Sequence, residues 1–248
     1  MKLIELLDII KQTALENKFS LPYIVGGLPR DMILKKLDDI KDVDITCGDA
    51  SSLKIGPKVI QKITGATLMT FPDGHSKLAY GNFSVDFSNN FVIRNVKDLA
   101  AKEDGGVDIK TSMQAEIYSR DFTVNTLLMP LDMSTILDIT ERGIADIKGK
   151  FIDTCLEPEI TLGADPDRII RVIYLCAKLG FKPKGRVMDW IVEHGDKLSK
   201  VNGGYIKGKL NKALGYDKGI TMKLITDMRL GKYIPESGKM LDVISGIK

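Results

Sequence analysis

Asp42-Val43-Asp44-Ile45-Thr46 constrains this chain more than any other segment. Polar and apolar residues alternate through it, the pattern of a half-buried β-strand. Residues two apart in a strand share a face, so Val43 and Ile45 face a core while Asp42 and Asp44 face away from it together. The fold must therefore contain a sheet with one covered face and one face on which two carboxylates meet. Like charges that close are costly unless a cation lies between them. Mg²⁺ takes oxygen ligands and is often held by one or two carboxylates, which makes the pair a candidate metal site. A solvated acidic edge strand is the plain structural explanation of the same two residues.

The residues upstream add to the case. Leu21 to Gly27 reads as a short apolar strand ending in a glycine pair, and Arg30 to Lys36 as a helix. Backbone amides freed by Gly26 and Gly27 before a helix can cradle phosphate oxygens, which Arg30 can neutralise. Residues 2–16 show helical spacing, with Leu3, Leu6, Leu7 and Ile10 on one face. A helix is expected at 59–64, short strands at 66–71, 77–80, 83–87, 91–93 and 135–138, a loop at 102–106, and a helix beginning in 119–128. From Asp165 onward the period changes. Ile169, Ile170, Val172, Ile173, Cys176 and Leu179 recur at helical spacing up to Gly180, and glycines divide the remaining chain into further helices. An α+β head is thus followed by an all-helical part.

Charge divides the same way. Residues 182–248 hold 14 Lys/Arg against 7 Asp/Glu, and residues 1–181 hold 22 against 26. A basic C-terminal part beside a carboxylate-bearing N-terminal part suits a polyanion-binding body on a metal-using head; a solvated lysine-rich surface fits equally. No apolar run reaches bilayer length, so no membrane partner is expected. Cys47, Cys155 and Cys176 are odd in number and lack zinc spacing, which points to reduced thiols and a cytoplasmic location. His75 and His194 are isolated, and Trp190 and Tyr205 read first as packing residues.

Five ordered segments carry a family resemblance. They are Tyr23-Ile24-Val25-Gly26-Gly27 through Arg30-Asp31 to Asp42-Val43-Asp44; Ser119-Arg120-Asp121-Phe122-Thr123-Val124-Asn125; Asp138-Ile139-Thr140 with Gly143 to Ile147; Ala164-Asp165-Pro166-Asp167-Arg168-Ile169-Ile170-Arg171; and Leu179-Gly180-Phe181. Together they resemble the class II tRNA nucleotidyltransferases, the CCA-adding enzymes, whose head is shared with bacterial poly(A) polymerases. The resemblance implies a polymerase-β-like nucleotidyltransferase head over residues 1–153, a helical nucleobase-recognising neck over 154–181, and a short helical, RNA-binding body over 182–248. It implies two Mg²⁺ ions on Asp42 and Asp44, and Asp86 as a third catalytic carboxylate near the attacking hydroxyl. Gly26, Gly27 and Arg30 would hold the triphosphate. Arg120, Asp121 and Asn125 would hold the incoming nucleotide, although Asp121 reads equally as a helix N-cap. Asp165 and Arg168, three apart, would read the base edge, with Arg171 one turn on; an ordinary helix ion pair is the bland reading.

The chain departs from the family pattern at several places. Ala164 replaces a Glu, Ser119 the first of two arginines, Pro29 a Val, and Ile139-Thr140 a Pro with glycine-rich residues; a short body without the family's long tail is expected. The implied activity is template-independent transfer of nucleotides from CTP and/or ATP to an RNA 3′ end, as CCA addition or repair on tRNA. A poly(A) polymerase is the alternative within the class, although Val92-Ile93-Arg94-Asn95 stands where those enzymes carry a basic Gly-Arg-Arg-Phe segment. A catalytically inactive nucleotide- or RNA-binding protein is the alternative of another class.

Overall fold

The alternation around Asp42 builds the centre of the fold. In the computed structural model, which describes residues 1–36, 40–103 and 106–234, β1 (Tyr23–Val25), β2 (Asp42–Thr46), β3 (Thr67–Thr70), β4 (Ser76–Tyr80), β5 (Phe83–Phe87) and β6 (Leu128–Pro130) form one sheet. Its order is β3-β4-β5-β2-β1-β6. Neighbours run antiparallel except β2 and β5, which are parallel. That parallel pair needs a long crossover, and α3 (Ser51–Val59) with the β3–β4 hairpin supplies it.

One face of the sheet is dry. Leu6, Leu7, Ile10 and Ala14 of α1 (Leu3–Glu16) and Ile55 and Val59 of α3 bury Ile24, Val43, Ile45, Leu78, Val85 and Phe87 in one cluster. The other face is covered over only part of its width. There Val25 of β1 and Leu128 of β6 pack on Ile117 of α5 (Ser112–Tyr118). Asp42 and Asp44 of β2 remain exposed, and Lys77 of β4 and Asp86 of β5 half-exposed. α2 (Gly27–Ile33) continues directly from β1, and α4 (Val96–Ala101) follows β5.

Two compact units are present, Met1–Ile147 and Lys148–Lys248, with α6 (Gly143–Gly149) at the boundary. In the second, α7 (Pro158–Ala164), α8 (Asp167–Leu179), α9 (Gly185–His194), α10 (Gly203–Tyr216) and α11 (Lys218–Asp227) come in order. α10 and α11 pack against α8, whose buried Ile169, Ile170, Val172, Ile173 and Cys176 are those picked out by spacing. A parallel pair of two-residue strands, β7 (Phe151–Ile152) and β8 (Lys182–Pro183), interrupts the helices. No helix of the described residues is long and apolar enough to cross a membrane.

Several local expectations are corrected. The helix expected at 59–64 is α3, placed earlier and ending in a 3-10 turn at Ile60–Lys62. Its Gly56-Pro57 pair reads as a break, but Gly56 lets the helix lie directly on the sheet: a Cβ there would stand 2.3 Å from Ser76 Oγ. The helix expected to begin in 119–128 ends before that segment, because a capping box at Thr111 starts α5 early. Gln114 N donates to Thr111 Oγ1 at 3.1 Å, and Thr111 N to Gln114 Oε1 at 3.1 Å. Residues 91–93 form no strand, and 135–138 contribute only a bridge from Leu137 to Leu128. Of the expected 102–106 loop, Asp104 and Gly105 lie outside the described residues, as do 235–248 of the expected body.

Cys47, Cys155 and Cys176 are free and buried. Burial pushes the Cys47 and Cys176 thiols up to about 12. The thiolate is the nucleophile, so both should resist iodoacetamide in the native protein at about pH 8 and react once the chain is unfolded in guanidinium. Peptide mass mapping checks this; rapid native labelling of either thiol would show that its surroundings open.

Candidate active site

The site is built on the turn from β1 into α2. Gly26 has φ +81, and a Cβ there would lie 2.8 Å from Asp44 Oδ2. Glycine is thus required twice, once for the backbone angle and once for the approach of the turn to the carboxylate. Val25 lies opposite Asp44 in the antiparallel β1–β2 pair, which fixes that approach. On the other side of β2, Asp44 lies opposite Asp86 and Asp42 opposite Ser84. One strand further, Lys77 lies opposite Asp86, and its Nζ stands 3.0 Å from Asp86 Oδ2. The sheet therefore brings Asp42, Asp44 and Asp86 together on its open face.

These charges feel one another. Solvent reaches Asp44, yet the protein around it desolvates the carboxyl and pushes it above the usual carboxylate range. Arg120 opposes that shift, Asp86 and Asp42 add to it, and Lys77 opposes it. The hydrogen bond to Asp86, with Asp42 and Asp44 nearby, holds the Lys77 ammonium above its ordinary value against its own partial desolvation.

A buried layer supports this face. Glu116 is fully buried, accepts from Thr46 Oγ1 of β2, and accepts from Arg120 Nη2 at 2.7 Å. Arg120 is thereby anchored near enough for its charge to act on Asp44. Arg30 lies beneath the glycine turn, 3% exposed, where its Nε donates to Asp31 Oδ1 at 2.8 Å and its Nη1 to Asn125 Oδ1 at 2.7 Å. Asn125 Nδ2 donates in turn to Asp121 Oδ1 at 3.2 Å. Arg30 and the distant Asn125–Asp121 pair form one chain of hydrogen bonds that braces the turn. Asp121 Oδ1 also accepts from Phe122 N at 2.8 Å, ahead of the 3-10 turn at Thr123–Asn125, and so caps no α-helix. Asp138 and Asp146 of the next motif brace the same region: Asp138 Oδ2 accepts from Ile144 N at 2.8 Å, and Asp146 Oδ2 from Thr123 Oγ1 at 2.6 Å.

The second unit carries the remaining candidates. Asp165 is not on the neck helix as expected but precedes α8, because Pro166 intervenes. Asp165 Oδ1 accepts from Asp167 N at 3.1 Å, and Asp165 Oδ2 lies 3.4 Å from Arg168 Nε. Arg168 is buried and also donates from Nη1 to Thr161 O at 3.2 Å. The expected pair is therefore present, with the carboxylate part-exposed and the guanidinium fixed. Arg171 of α8 hydrogen-bonds Tyr205 of α10, whose phenol is pushed up mainly by burial.

Lys77 and Glu116 escaped the sequence reading. A lone strand lysine carries no motif, although the two-residue turn at Gly81-Asn82 fixes the hairpin register that sets it against Asp86. Glu116 stands four residues before Arg120, the helical pairing distance.

Asp42 and Asp44 suit Mg²⁺ in donor chemistry, as two hard oxygen ligands pressed together on one strand face beside a third carboxylate. Among the described residues no three His, Cys, Asp or Glu side chains cluster closely enough to hold a metal ion by themselves. Two carboxylates completed by phosphate oxygens and water are the usual Mg²⁺ arrangement in phosphoryl-transfer sites.

Residues 22–153 match the model of the poly(A) polymerase head domain. The chain belongs to that family. The match runs from the strand before the glycine turn through Asp42, Asp44, Asp86 and the Arg120 motif. Among curated relatives, the CCA-adding enzyme of Leuconostoc citreum is 26% identical over 219 residues, 86% of this chain and 50% of that protein. The A-adding tRNA nucleotidyltransferase of Aquifex aeolicus is 28% identical over 166 residues, 64% of this chain and 19% of that protein. This family member thus spans half or less of these relatives' length. In fold it is similar to the Bacillus stearothermophilus CCA-adding enzyme solved with CTP, with a TM-score of 0.74 at 22% identity over 99% of this chain and 58% of that one.

Gly26 and Gly65 share a φ near +80, but nothing lies within 4 Å of a Cβ built on Gly65. Gly65→Ala should cost about 1 kcal/mol of backbone strain. Gly26→Ala should cost more and also weaken Mn²⁺ binding, because the methyl displaces Asp44. Urea unfolding and Mn²⁺ titration of both variants decide it; equal behaviour would mean that Asp44 adapts freely.

Proposed function

We propose that this chain is a metal-dependent RNA 3′-terminal nucleotidyltransferase that uses CTP and/or ATP and adds or repairs CCA on tRNA. The observation that carries the reading is the convergence of Asp42 and Asp44 on the open sheet face, against the Gly26-Gly27 turn, in a member of the poly(A) polymerase head family. Names of relatives agree: a CCA-adding enzyme, an A-adding tRNA nucleotidyltransferase, and structures solved with CTP or with a primer tRNA and an ATP analogue.

In the reaction the RNA 3′-hydroxyl oxygen bonds to the α-phosphorus and the bond to the β-phosphate oxygen breaks, releasing pyrophosphate. Asp42 and Asp44 would hold two Mg²⁺ ions, which when bound supply activation of the hydroxyl and charge stabilisation of the leaving pyrophosphate. Gly26 and Gly27 offer backbone amides to the triphosphate, and the Arg30–Asn125–Asp121 chain holds that turn still. Arg120, fixed by Glu116, offers positive charge to the nucleotide. Catalysis is positioning and electrostatics, with no covalent protein intermediate. Asp165 and Arg168 form the base-reading pair: the carboxylate accepts from the amino group that C and A share, and G and U present a carbonyl there instead.

The RNA would lie along the second unit, on α8 and α10. Lys209 Nζ stands 5.0 Å from the Tyr174 ring centroid and 5.5 Å from that of Tyr205. Tyr216, 54% exposed, meets Tyr174 edge-on at 5.9 Å. With Arg171 at its end, this is a stripe of aromatic faces interleaved with cations, a platform for stacked bases and phosphates.

The deciding assay incubates the protein with Mg²⁺, each single NTP, and tRNA ending before CCA. Wild type should extend the RNA with C, A or both. Asp44→Ala and Asp42→Ala should each lower the rate by roughly a hundredfold or more, and Asp165→Ala should relax base choice by about tenfold or more. Robust transfer by either first-named variant would sink the metal-site assignment, and long A tracts on any RNA would instead indicate a poly(A) polymerase. Separately, Lys209→Ala with Tyr205→Ala should weaken tRNA binding and flatten its salt dependence, by about one unit of log–log slope for the lost cation. Filter binding at several salt concentrations measures this; an unchanged slope would place the RNA elsewhere.

A further inference from the structure

An exposed ring and a group of lysines meet on the β7–β8 pair, and the proposed reaction uses neither. Side chains alternate along β7. Ile152 is fully buried, so Phe151 points the other way and is 39% exposed. The ring is nevertheless held in place. A Cβ on Gly149 would stand 2.8 Å from Phe151 Cδ2, so the ring lies directly on that glycine. Lys184 Nζ stands 6.0 Å from the ring centroid.

The lysines fall into two sets. Lys184 Nζ lies 3.2 Å from Asp153 Oδ2, and Arg186 Nε lies 2.8 Å from Asp153 Oδ1, with Asp153 buried beneath them. Those cations are spent on the fold. Lys150 and Lys182 are not: among the described residues neither has a carboxylate partner, nor has Lys148 in the last turn of α6. Lys182 lies opposite Phe151 in the parallel register, and its N donates to Lys150 O at 2.9 Å. Lys150 takes a φ of +58, which lysine seldom adopts, so the chain holds it in a specific turn beside the ring. A solvated surface accounts for unpaired lysines but not for an apolar ring seated among them. A strand of nucleic acid answers both features, its phosphates meeting the lysines and a base covering the ring. The stripe already described on α8 leads this way. Arg171, Tyr174 and Lys178 recur at helical spacing, and α8 ends at Leu179, three residues before Lys182.

We propose that the β7–β8 pair is a second RNA contact, specific for an unpaired stretch: Phe151 stacks on a base, and Lys150 and Lys182 hold the flanking phosphates. This rests on the proposed function and extends the RNA path beyond α8 and α10. A duplex offers phosphates but no free base face, so it meets the lysines alone.

The test titrates the full chain with three fluorescent probes, a single-stranded RNA, an RNA duplex of equal length and heparin, by anisotropy at several salt concentrations. Lys150→Ala with Lys182→Ala should weaken all three and flatten the salt dependence of single-stranded binding by about 1.4 units of log–log slope for two lost cations. Phe151→Ala should weaken single-stranded RNA alone, by roughly fivefold or more, and Phe151→Trp should keep the wild-type affinity. An unchanged slope in the lysine variant overturns the inference. So does single-stranded affinity within about twofold of wild type in Phe151→Ala, or an equal loss on all three probes, which would make the ring structural. Nucleotide transfer by a wild type whose RNA binding ignores these substitutions overturns this inference alone. RNA binding that depends on them in a protein that transfers no nucleotide supports the contact and overturns the proposed reaction.

Discussion

Apolar burial on one sheet face, strong enough to hold like charges together on the other, organises the first unit. Asp42, Asp44 and Asp86 are brought together by strand pairing, and the strands pair because their opposite faces bury Val43, Ile45, Val85 and Phe87. Apolar burial on one side thus drives carboxylates together on the other. Burying Ile45 or Phe87 is worth on the order of 2 kcal/mol each, so the sheet can carry a cost on its open side. The Asp44 carboxyl is raised chiefly because the surrounding protein desolvates it, and the neighbouring Asp86 and Asp42 add to the rise; a bound cation would offset both.

Around the carboxylates the positive groups are tethered, each by a different device. Lys77 is held by strand register, Arg120 by buried Glu116, and Arg30 by Asp31 and Asn125 under the glycine turn. Under the proposed function, such tethering would lower the reorganisation needed when a highly charged nucleotide enters, as electrostatic preorganisation requires. Arg30, with its guanidinium engaged by both Asp31 and Asn125, braces the glycine turn from its buried side. The second unit repeats the device, Arg168 being buried and fixed while its partner Asp165 remains part-exposed.

Much of this was legible in the residues. Period-2 alternation gave β2 and the shared face of Asp42 and Asp44, and helical spacing gave α1 and the buried side of α8. Both signals are local and strong, because each reports the same burial at every turn or every second residue. Where the local signals are weak, the structure departs from them. The helix expected at 59–64 lies earlier, as α3, because Gly56 lets it pack directly on the sheet. The Thr111–Gln114 capping box starts α5 ahead of the segment where helical spacing alone places it. Pro166 put Asp165 ahead of the helix while leaving its pairing with Arg168 intact.

The sequence by itself determined which faces are apolar, where glycine must stand before the carboxylates, and which family pattern the motifs match. Those are properties of neighbouring residues, set by chain stereochemistry and side-chain period. Only the tertiary structure decided the partners: that Asp86 meets Asp44 across a parallel pair, that Lys77 takes Asp86, that Glu116 orients Arg120, and that Arg30 reaches Asn125. Those pairings depend on strand order and register across distant segments. Strand order and register are fixed by the packing of the whole sheet, and no short stretch of residues contains them.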